Sequence, residues 1–72
     1  MGTVAVLGEP ERVQGYALAG AIVVPAEGPD AVRRAWHRLN EETVLVVLTR
    51  SAAESLIEEV RDTALLTVVM PA

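Results

Sequence analysis

Thr43-Val44-Leu45-Val46-Val47-Leu48-Thr49, followed by Arg50-Ser51, is the stretch whose reading decides the fold. Five aliphatics stand between two threonines with no polar side chain among them, so neither face alternates toward water. A run of this length and composition reads as a strand buried on both faces, as in the interior of a parallel sheet. A polar turn and a new helix pattern follow at once. The carboxyl end of such a strand is where parallel α/β proteins usually place their chemistry.

Working outward, Thr3 to Leu7 is a second apolar run, closed by Gly8. Glu9-Pro10 opens a helix, because proline has no N–H and the first helical N–H is unpaired in any case. Val13, Tyr16, Ala17 and Gly20 then fall on one helical face, with Gly20 as the stop. Ala21 to Val24 reads as a strand ended by Pro25. Pro29-Asp30 opens another helix, with Val32, Ala35, Trp36 and Leu39 on one stripe and Arg33, Arg34, His37 and Arg38 on the other face. Beyond the central run, Ser51-Ala52-Ala53-Glu54 has the spacing of a capping box, and Ala53, Leu56, Ile57 and Val60 repeat the stripe. Leu65 to Met70 is the last strand, ended by Pro71. The pattern β-α-β-α-β-α-β with short links predicts one α/β domain over residues 1–72. It is a small three-layer, receiver-like or flavodoxin-like unit with a four-stranded parallel sheet and three helices.

With strand order 2-1-3-4, right-handed crossovers put the first helix on one face and the other two on the opposite face. Order 3-2-1-4 would change that distribution. In the first case nothing covers the first helix's face beside strands 3 and 4. Both alternation sets there are largely apolar: Val44, Val46, Leu48 with Leu66, Val68, Met70, and Leu45, Val47 with Leu65, Val69. Four such side chains left in water forfeit roughly 6–12 kcal/mol. The expectation is that a further segment, a partner or a second copy of the chain covers this face.

Composition narrows the function. The chain has 72 residues, a formal net charge of -4, and no cysteine. The negative charge argues against nucleic acid and anionic lipid as partners. Disulfides, thiolate catalysis and cysteine-bound zinc are excluded, and no apolar run reaches the ~18 residues of a membrane span. The amino terminus lacks the basic region of a signal peptide. All six basic residues are arginine, so no Schiff-base or phosphate-loop lysine exists.

The candidate constellations are sparse. Gly8-Glu9-Pro10-Glu11-Arg12-Val13-Gln14-Gly15 sits where phosphate loops sit, but it lacks their glycine spacing and carries two glutamates that repel phosphate. A phosphoacceptor receiver needs an aspartate where Thr49 stands, and a lysine. His37 has Arg33 and Arg34 as helix neighbours, which disfavours a bound cation. Trp36 reads as core packing or as an interface anchor. No catalytic, cofactor-binding or metal-ligating set emerges. Interaction sites are placed at Glu9, Arg12, Tyr16, Arg50 and Ser51, in the loops and first turns at the carboxyl edge of strands 1 and 3.

The glycines and aliphatics of residues 8–20, ending in Leu18-Ala19-Gly20, resemble the opening signature of the F subunit of V-type (vacuolar/archaeal-type) ATPases. Thr43 to Thr49 with Ser51-Ala52-Ala53-Glu54, and Leu66 to Pro71, are similar to that family's third strand, following helix and last strand. Glu9 stands where aspartate is usual, and Tyr16 where phenylalanine is usual. Family members continue past the last strand into a mobile segment, whereas this sequence ends at Ala72. The resemblance implies a non-catalytic central-stalk subunit without a cofactor, cytoplasmic and held at the membrane within a peripheral complex. Its chief partner would be the coiled-coil stalk subunit, and its role regulation of ATP hydrolysis or synthesis. The alternatives are a stand-alone receiver-like interaction module and a small nucleotide-binding flavodoxin-like protein.

Overall fold

The computed structural model describes residues 2–71, and the side chains of residues 17–19 are outside the described set. Ala17, expected on the first helix's apolar face, therefore lies outside the described side chains. The chain runs β1 (Thr3–Gly8), α1 (Pro10–Val13), a 3-10 helix (Gln14–Ala19), β2 (Ile22–Pro25), α2 (Pro29–His37), β3 (Thr43–Leu48), α3 (Arg50–Ser55), α4 (Ile57–Arg61) and β4 (Leu66–Val69). The four strands form one sheet in the order β2-β1-β3-β4, and every pair is parallel. The expected fold class and strand order are both found.

Two expected helices are each divided. The first keeps α-geometry only to Val13 and continues as a 3-10 helix through Gly15 to Ala19. Glycine inside a helix costs about 1 kcal/mol relative to alanine, so Gly15 is the weak point. Gly20 ends the segment at φ +85°, a left-handed conformation that glycine adopts without strain. The third helix breaks at Leu56, where φ is -116°. Immediately before it the Ser55 hydroxyl donates to the Ser51 carbonyl one turn back, at 3.3 Å, a bond that competes with the backbone ladder and bends helices. The break seats Leu56 fully in the core and turns Ile57 outward to 64% exposure. Ile57 is thus a correction to the expected stripe of Ala53, Leu56, Ile57 and Val60.

The helices distribute over the two faces as right-handed crossovers require. Val32 of α2, Ala52 of α3 and Leu56 pack with Leu7, Val46 and Leu48 on one face, joined by the half-buried Trp36, Leu39, Val60 and Leu65. Val13 of α1 packs with Val6 and Met70 on the other, joined by Ala21, Val23 and Val47. The core is aliphatic, with Trp36 at its margin.

Register corrects the expected grouping at β3 and β4. Leu45 lies opposite Leu66 and Val47 opposite Val68, while Val46 and Leu48 oppose Thr67 and Val69. The expected sets had this pairing one residue out of step, and a one-residue slip exchanges the faces. The anchor is Leu65, which packs into the core beside α2 and α3 and so sends Leu66 to the opposite side. Pairing of β1 with β3 also shifts between Thr3 and Val4, leaving Val44 as an extra, 54% exposed residue. The central run is therefore buried along one face, bulged at Val44, and half-covered on the other.

Candidate functional site

The carboxyl ends of β1 and β3 are adjacent, and what they hold is a structural knot. The Thr49 amide donates to the Leu7 carbonyl at 3.2 Å, extending the sheet by one residue. The Thr49 hydroxyl donates to Glu9 Oε1 at 2.6 Å and accepts from the Ala52 amide at 3.2 Å. It is therefore the cap of α3 and a tie to the loop after β1. Gly8 makes room for it: a Cβ on Gly8 would stand within 2.5 Å of Thr49 Oγ1. Thr49 is wholly buried, and its one hydroxyl satisfies a donor and an acceptor at once. That bond holds the Glu9 carboxyl below the ordinary glutamate range. The Arg12 guanidinium adds to the effect, and partial burial opposes it.

The five expected interaction residues do not form one cluster. Glu9 is tied to Thr49, and Arg12 contributes to its field. Tyr16 sits on the 3-10 helix at 39% exposure and, with Val4, Val6 and Val47, borders a groove on the α1 face. Arg50 and Ser51 are exposed in the first turn of α3. Ser51 is not the cap, because the helix begins one residue before it and Thr49 takes that role, so the expected capping box is corrected. Among the described residues no side-chain hydrogen bond or ion pair joins any two of the five, and Glu9 and Arg12 share only a backbone bond, from the Arg12 amide to the Glu9 carbonyl at 2.9 Å. Nor does any group of three or more His, Asp or Glu side chains among them come together to hold a metal ion.

The residue pattern alone does not single out Thr49 as the cap of α3 and the tie to Glu9. The signal was present: strands 1 and 3 are neighbours, so residues just past their ends must meet, and a threonine beside a glutamate is a hydrogen-bonding pair.

The larger feature lies along the sheet rather than at its end. On the α1 face, Leu66 is 66% exposed and Val68 47% exposed, beside half-buried Leu45 and Val47. Val13 and Met70 cover the adjoining part of this face, and no described helix packs over Leu66 and Val68. Because Leu45 and Val47 are partly covered by their neighbours, the loss is smaller than four open side chains would give. Covering Leu66 and Val68 would contribute on the order of 2–3 kcal/mol.

A family model for the ATP synthase (F/14-kDa) subunit matches residues 4–72. The chain belongs to that family. No curated protein and no solved structure gives a significant match. The match takes in all four strands but the first residue of β1, so it covers both the Glu9–Thr49 knot and the open strip of β3 and β4. As a member of a family of ATP synthase subunits, the chain is a component of a larger ATPase assembly. No helix among the described residues is long and apolar enough to cross a membrane.

Proposed function

We propose that this family member is a non-catalytic central-stalk, or rotor, subunit of a V-type proton- or sodium-translocating ATPase. It binds the coiled-coil stalk subunit and regulates ATP hydrolysis or synthesis carried out elsewhere in the complex. It works in the cytoplasm, at the membrane, as part of the peripheral assembly. The observation that carries this reading is the open apolar strip of Leu45, Val47, Leu66 and Val68. A helix of a coiled coil is a suitable cover, because its apolar stripe matches a flat row of aliphatics and needs no change in the sheet. Arg12 and Tyr16, on the α1 side, supply polar and aromatic contacts beside the strip, Arg50 and Ser51 extend the contact at the carboxyl edge of β3, and Glu9 shapes the loop that leads into α1 and Arg12.

The test is size exclusion after co-expression with a candidate coiled-coil stalk subunit. The two chains co-elute, and Leu66→Gln with Val68→Gln releases this chain while its own melting stays cooperative. Arg12→Glu weakens the complex without moving the melting temperature. Separate elution of the wild-type chains overturns the reading. Elution of this chain alone as a stable dimer does so too, assigning the strip to self-association.

A further inference from the structure

The opposite side of the sheet carries a second surface that the stalk reading does not use. Between the edge strand β2 and helix α2 runs a groove of about 410 Å³. Its floor and walls are mostly apolar, with Ala5, Val24, Ala31, Ala35 and Leu39 and half-exposed Ile22, while Asn40 and Thr43 add two uncharged polar side chains. The charged residues that line it are Arg34 and Arg38, both exposed. Neither has a carboxylate within salt-bridge distance among the described residues, whereas their neighbour Arg33 is engaged by Asp30 at 3.3 Å. In a chain of net charge -4, this groove is a local concentration of positive charge over an apolar floor.

We propose that this groove docks an acidic, amphipathic helix of another protein. Three observations select that occupant. Arg34 and Arg38 are one helical turn apart, about 6 Å between Cβ atoms, which matches carboxylates spaced one turn apart on a partner helix. An extended peptide adding to the β2 edge is disfavoured by Pro25. The Ala26 amide donates inward to Gly8, so by alternation Pro25 faces outward, and it has no N–H to offer. A small anion is disfavoured because exposed ion pairs give only about 0–1 kcal/mol each, and the shallow floor adds little burial for a compact ligand. A helix lying along the groove covers Ile22 and Leu39 together and excludes water from the ion pairs made by both guanidinium groups.

The test uses isotope-labelled full chain and a capped helical peptide of about sixteen residues, long enough to hold helix. It carries leucines at i, i+3, i+4 and i+7 and glutamates one turn apart beside them. The expected result is saturable amide shifts confined to residues 22–26 and 29–40. Replacing the glutamates by lysine weakens binding at least about tenfold, and Arg34→Glu with Arg38→Glu in the protein reverses that preference. Both arginines are exposed, so the charge reversal leaves the fold intact, which the amide spectrum itself checks. Shifts that do not saturate overturn the proposal, as does equal affinity for the two peptides. Shifts centred on Leu45, Val47, Leu66 and Val68 also overturn it, and leave the stalk reading untouched.

Discussion

The Thr49 hydroxyl donates a 2.6 Å hydrogen bond to the carboxylate of Glu9, forty residues away in the chain. The same oxygen accepts from the Ala52 amide, so one buried atom fastens the loop after β1 to the start of α3. Removing it breaks a charge-assisted hydrogen bond and a helix cap together. Thr49→Val is expected to cost about 2–4 kcal/mol, against a total stability of about 4–11 kcal/mol for a chain this size. Thr49→Ser keeps the hydroxyl and loses only a methyl, so it costs about 1 kcal/mol. Urea titration of the two variants measures the difference, and equal midpoints would show that the hydroxyl contributes nothing.

The Glu9 carboxylate gives this tie a pH dependence. Its folded pKa lies below the unfolded value, first because Thr49 donates to the ionised form. The stabilisation is therefore complete above the unfolded pKa of about 4.3 and is lost as pH falls through the lower, folded value. The melting-temperature gap between wild type and Glu9→Gln should be widest near neutral pH and close as the solution becomes strongly acidic. A gap that stays constant down the titration argues that Glu9 acts only through its shape.

Gly8 tests the packing around the same oxygen. An added methyl would press on Thr49 Oγ1 and on the threonine's own methyl, in a place buried on both sides. Overpacking typically costs about 1–3 kcal/mol, and here it also displaces the hydroxyl from Glu9. Gly8→Ala is expected to lower stability by at least about 2 kcal/mol in denaturant melts. A smaller effect would mean that the two strand ends can part without penalty.

Leu56 and Ile57 stand side by side in sequence and apart in role. Leu56→Ala opens a cavity in a fully buried site and should cost about 3 kcal/mol. Ile57→Ala removes an exposed side chain at a helix start and should stay within about 0.5 kcal/mol. Comparable losses at both positions would show that the helix does not break where the backbone places it.

Much of the fold can be read from residues alone. Apolar runs separated by stripes at helical spacing give the alternation of strands and helices, and short links impose a parallel sheet. The handedness of crossovers then joins with strand order to leave one face of β3 and β4 thinly covered. The finer placements do not follow from local pattern. Thr49 and Ser51 are both good caps for the same helix, and the choice was made by Gly8 and Glu9, which belong to a different strand end. Leu66 and Leu65 are interchangeable to a periodicity argument; the core beside α2 and α3 takes Leu65, and Leu66 goes to the open face.

By itself, then, the sequence determined the four strands, the helical segments between them, their order and the aliphatic core, because these depend on residue type and spacing. Only the tertiary structure decided the β3–β4 register, the bulge at Val44, the Glu9–Thr49 tie and the pairing of Arg34 with Arg38 over an apolar groove. Each of these depends on which distant residue arrives opposite, and that is settled by packing in three dimensions.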